Sequence, residues 1–151
     1  MLSKMVILTA LFVGILSGLA AQSNDRLDEL LGQVPARLDS TLYLLLASGS
    51  LISEDATPAA ALSESIGTGL VAPDRHPDEP VSIQELSFLV MKTQKFEGGL
   101  EWRLLPSPRA AYRELAYHGL VNTSAGPERH VAGEEVIRTL NAVRAYQGGE
   151  R

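Results

Sequence analysis

Glu85 and Glu135 stand fifty positions apart, and the residues around them agree in kind. Two carboxylates at matched positions are the raw material of general acid/base chemistry, in which one donates a proton and the other accepts it. The local sequence offers each a different use. Ser82 precedes Glu85 by three, the spacing of a capping box, where a hydroxyl and a carboxylate satisfy the unpaired N–H groups of a helix start. Glu134 and Glu135 also fall where a helix N-terminus favours negative charge. Capping is the expected role, so Ser82, Glu85 and Glu135 are candidate binding residues and no catalytic residue is assigned.

Other chemistry is thin. His76, His118 and His130 do not coincide under the fifty-residue shift, and none has a partner at metal-ligand spacing, so no metal site is expected. His118 near a helix C-terminus fits a partner for the terminal carbonyls. The acidic run 74–79 lacks the alternating oxygen ligands and glycine of a calcium loop. Trp102, the single tryptophan, is the fourth candidate binding residue, as a sugar-stacking platform or partner anchor, although a lid over the core is the simpler use. Residues 122–124 (Asn-Thr-Ser) form a glycosylation sequon, relevant only in a eukaryotic source. Nucleophile-elbow, phosphate-loop and dinucleotide motifs are absent, and no cofactor is expected.

The totals narrow the class. The 151 residues carry no cysteine, which removes thiolate chemistry, disulfides and Cys-zinc sites. Residues 1–20 have the three-part layout of a signal peptide: Lys4, an apolar run over 5–19, and small residues at Gly18 and Ala20 before a cut at Ala21. The alternative is an uncleaved membrane anchor, for which the run is short. Without them only Lys4 is lost, leaving 12 cations against 18 carboxylates, a net charge of −6. That balance argues against nucleic acid or an anionic membrane surface as partner.

The elements that must position the candidates are helices. Thr57-Pro58 and Ser107-Pro108 each supply a hydroxyl cap and a proline at the first turn. Val81 and Leu86 staple the start of a helix over 82–96, whose apolar residues on more than one face predict the central, most buried helix. Gly69-Leu70-Val71 recurs as Gly119-Leu120-Val121, with the glycines expected as left-handed caps and Leu70 and Leu120 expected to be buried. The predicted organisation is a signal peptide (1–20), an N-terminal helical segment (21–56), a helical repeat (57–96), an irregular linker (97–106) with a weakly extended stretch, and a second repeat (107–147). A weaker echo begins at Gly49. The fold class is all-α, built from repeated helix–loop–helix hairpins.

On these residues the chain resembles the S-layer homology module of bacterial envelope proteins. In that family a helix ends in Gly-aliphatic-aliphatic and, after a loop with a late proline, a second helix opens with a Val-Thr-Arg-Ala-Glu-like motif. Residues 81–85 match it at Val81, Ser82 and Glu85, and residues 131–135 at Val131 and Glu135. The motif arginine, which in the family helps hold an anionic cell-wall polymer, is replaced by Ile83 and Gly133. The resemblance implies a non-enzymatic, exported protein, periplasmic, cell-surface or extracellular, that binds another envelope component. An envelope protein is the expected partner, a cell-wall glycan the alternative, and a hydrolytic enzyme the third reading.

Overall fold

The computed structural model describes residues 24–149. The signal-peptide and cleavage expectations for 1–20 lie outside the described residues. The described chain is all-α: α1 (24–31), α2 (Leu38–Ser48), α3 (Pro58–Gly67), α4 (Ile83–Thr93), α5 (Leu100–Leu104), α6 (Pro108–Tyr117) and α7 (Gly133–Gly149). Among the described residues β pairing is limited to the bridges Arg37–Pro80 and Ser82–His130.

Those bridges belong to a closed cycle of backbone hydrogen bonds at the centre of the molecule. The Ala36 amide donates to the Val131 carbonyl (2.8 Å), Val131 to Val81 (3.0 Å), and Val81 back to Ala36 (3.1 Å). A second cycle surrounds it: Leu38 donates to Glu79, Ile83 to Arg129 and Gly133 to Gln33, each at 2.9 Å. Ala36, Val81 and Val131 are fully enclosed, so these buried amides and carbonyls find partners only in one another. Each then feeds a helix, α2, α4 or α7, two residues later.

The caps form as their residues dictate. Thr57 Oγ1 accepts from the Ala60 amide (3.1 Å) and Ser107 Oγ from Ala110 (3.2 Å). Gly69 (φ +73°) and Gly119 (φ +69°) take the left-handed conformation, and the next amides close the same bond, Leu70 to Ser65 (2.9 Å) and Leu120 to Leu115 (2.8 Å). Leu70 and Leu120 are only half-buried against the core, contrary to expectation, because Val71 takes the enclosed place after the first cap.

Packing differs from the expected hairpins. α3 lies along α2 and α6 along α4, whereas α3 does not pack on α4 nor α6 on α7. The helix after each long loop therefore buries its apolar face against a more distant element. α4 is enclosed, burying Leu86, Leu89, Val90 and Met91, but α2 is enclosed as fully through Leu38, Leu42, Leu45 and Leu46, so the centre is shared. α7 has no helix laid along its outside among the described residues. There Arg138 and Asn141 stand where α4 carries Phe88 and Met91, and the polar side chains suit the uncovered face.

Two sequence expectations change in detail. The 97–106 linker contains α5, a short helix instead of an extended stretch. Its amides bond back one turn (Arg103 to Gly99, 3.1 Å; Leu105 to Glu101, 2.9 Å), and Trp102 anchors it by turning inward. The echo at Gly49 belongs to a helix end. Ser50 (φ +56°) closes α2 as Lys95 (φ +53°) closes α4, with matching bonds from Leu51 to Leu46 and Phe96 to Met91, both 2.9 Å.

Candidate functional site

Ser82 and Glu85 lie at the N-terminal end of α4, Glu135 in the first turn of α7, and Trp102 toward the other end of α4. Ser82 caps its N-terminus, its Oγ accepting from the Glu85 amide (3.3 Å). The carboxylate of Glu85 turns away from the box toward Arg75 in the preceding loop, whose Nη1 and Nη2 meet Oε1 and Oε2, the second contact at 3.3 Å. Arg75 also pairs with Glu79. Glu135 is held in the same way by Arg129, with Nη1 to Oε2 at 2.7 Å and Nη2 to Oε1. Arg129 Nη2 also donates to the Asn122 carbonyl (3.1 Å).

Bidentate arginine pairs of this kind fix a planar, two-point geometry. Hydrogen bonding to Glu85 raises the Arg75 guanidinium above its ordinary value, and hydrogen bonding to Glu135 does the same for Arg129. Glu79 is lowered from its ordinary value, first by the His76 backbone amide and then by Arg75. Each matched glutamate thus anchors the loop that precedes its helix. The arginines escaped the sequence comparison because they sit at different places in the two loops: fifty residues after Arg75 stands Ala125, and fifty before Arg129 stands Glu79.

Trp102 lies toward the other end, 8% exposed, with its ring edge-on to Phe88 (centroids 5.9 Å apart). Lys92, in the last turn of α4, places Nζ 5.4 Å from the Trp102 centroid and 5.7 Å from that of Phe88. This lysine, which the sequence did not single out, forms a ridge between two clefts. One, of about 400 Å³, lies between α2, α3 and α4 and is lined by Leu46, Leu51, Thr68, Leu70, Phe88 and Lys92 itself. The other opens beside Trp102, Gly98 and Arg103. Leu100 and Leu104 of α5 and Leu105 at its C-cap are exposed to solvent.

The histidines do not converge. His118 Nε2 lies 3.3 Å from Glu114 Oε1, and its ring packs among Phe96, Tyr117 and Tyr146, a side-chain environment in place of the carbonyl contact expected. Among the described residues no group of three or more acidic or histidine side chains is arranged to hold a metal ion. Comparisons with protein-family models, curated proteins and solved structures found no match.

Proposed function

We propose that this is a non-enzymatic bacterial cell-envelope protein, exported to the periplasm, cell surface or medium, that binds another envelope protein. In this reading residues 1–20 are the export signal, and the rest is an S-layer-homology-like array whose helix–loop–helix units meet at the central cycle. α1 with α2 forms a third unit beside α3–α4 and α6–α7.

The observation that carries the protein-binding reading is the contrast across α5. Leu100, Leu104 and Leu105 are 72%, 68% and 75% exposed, while Trp102 between them is enclosed. Exposed leucines on one short helix and at its C-cap suit a protein contact. A sugar-binding surface would instead present the indole, and an anionic glycan would want the motif arginines, whose places hold the buried Ile83 and Gly133.

Sedimentation with isolated envelopes tests the proposal. The protein should pellet with intact envelopes and stay in solution with protein-stripped walls, and Leu104→Glu should weaken pelleting without changing the melting temperature. Pelleting with stripped walls would move the assignment to the glycan.

A further inference from the structure

The register that matches the two left-handed glycines also matches two grooves. Glu64, Thr68 and Leu70 at the end of α3 correspond to Glu114, His118 and Leu120 at the end of α6, fifty residues on. Leu51, after α2, corresponds to Phe96 in the 45-residue register of the backbone cycle and the Ser50/Lys95 caps. At the second groove the His118 ring fills the space. Its centroid is 6.0 Å from that of Phe96 and 4.8 Å from that of Tyr146, and its Nε2 meets Glu114 Oε1 at 3.3 Å. With a carboxylate as partner, that nitrogen is the one carrying the proton.

At the first groove the filler is missing. Thr68 offers only a hydroxyl, which turns back to the Glu64 carbonyl (2.9 Å). The space is lined by Leu46, Leu51, Leu70 and Phe88, and Leu51 is 46% exposed. Glu64 stands exposed at the mouth with no hydrogen bond or ion pair to its carboxylate among the described residues. Lys92, the nearest cation in the lining, is directed over the Phe88 and Trp102 rings.

We propose that the groove between α2, α3 and α4 receives a histidine side chain from the partner protein, in the manner of His118 at the sister groove. The ring would lie on Leu51 and Phe88 and donate its N–H to Glu64. Charge complementarity selects this occupant: an apolar slot with an unneutralised carboxylate at its mouth suits a flat ring with a donor nitrogen, most of all when protonated. The inference names the partner chemistry for the protein-binding module proposed above and rests on that reading.

The test is NMR titration of the purified protein at pH 6 with the pentapeptides Gly-Gly-His-Gly-Gly and Gly-Gly-Leu-Gly-Gly. The histidine peptide should shift the amide signals of Leu51, Thr68 and Leu70 and leave those of His118 and Leu120 in place. Glu64→Gln should weaken it about tenfold. Thr68→His, which supplies the missing ring from within, should abolish the response. Equal affinity for the leucine peptide, or histidine-peptide binding unchanged by Glu64→Gln, overturns the proposal even if Thr68→His does not fold. If the peptide fails to bind while the protein still pellets with intact envelopes, the groove assignment falls and the protein-binding function stands.

Discussion

Gly133 meets the Leu30 carbonyl so closely that a β-carbon on Gly133 would stand 1.7 Å from that oxygen. This approach lets the end of α1 seat against the start of α7, where the Gly133 amide donates to Gln33. The obstacle is backbone and cannot rotate aside. Gly133→Ala should therefore cost about 3 kcal/mol or more in a urea titration, through displacement of α1 or loss of the outer cycle. A cost below 1 kcal/mol would mean that α1 does not hold this position.

Gly69→Ala and Gly119→Ala should each cost about 1 kcal/mol, because both positions have positive φ but open space around the added methyl group. Gly98 has no such φ, and from sequence alone it reads as a tolerant spacer. Its added β-carbon would lie 2.7 Å from Trp102 Cδ1 and 2.9 Å from Met91 Cε. Gly98→Ala should then cost about 2 kcal/mol and shift the tryptophan emission, which neither of the other two should do. Unchanged emission in Gly98→Ala would contradict the packing of α5.

How much of this was legible beforehand follows from where the signals lie. Hydroxyl-proline starts and glycine stops act within one helical turn, so Thr57, Ser107, Gly69 and Gly119 could be read directly. The part played by Ala36 could not. Six residues, 32–37, join α1 to α2, against fifteen in each of 68–82 and 118–132, so no ungapped shift brings Ala36 onto Val81 and Val131 together. The Arg75 and Arg129 pairs were hidden by a related cause, since a long side chain reaches one spot from different loop positions. Gly133 looked like a weakened motif position, because a close backbone approach leaves no pattern in the sequence.

Thr41 occupies the position at which α4 has Leu86 and α7 has Val136, fully buried, and its hydroxyl has no hydrogen-bond partner among the described residues. Burying an unpaired hydroxyl is destabilising, while its methyl group packs as valine's does. Thr41→Val should raise stability by about 1 kcal/mol, seen as a higher urea midpoint with unchanged slope. A lower midpoint would show that the hydroxyl is satisfied in solution.

Acid should loosen the 72–82 loop through Glu79. Its carboxyl is lowered from an ordinary value near 4.5, so the folded state holds the ionised form more firmly than the unfolded chain does. The contribution is present above that ordinary value and is lost as pH falls through the lower, folded one. Arg75 and Arg129 are raised groups that titrate far above this range, so their charge does not change in the acid window. Glu79→Gln should flatten the acid limb of stability against pH between about 5 and 3. An unaltered acid limb would remove Glu79 from the account.

Ala36, in the segment that joins α1 to α2, closes one cycle with Val81 and Val131, so the described chain should open as a whole. Native-state hydrogen exchange of the Ala36, Val81 and Val131 amides tests it most directly. The three should share one opening free energy, equal to that of global unfolding, and should lose protection together as urea is added. Fast exchange at Ala36 with Val81 and Val131 still protected would contradict it, leaving a two-part core to which the N-terminal helices are only appended.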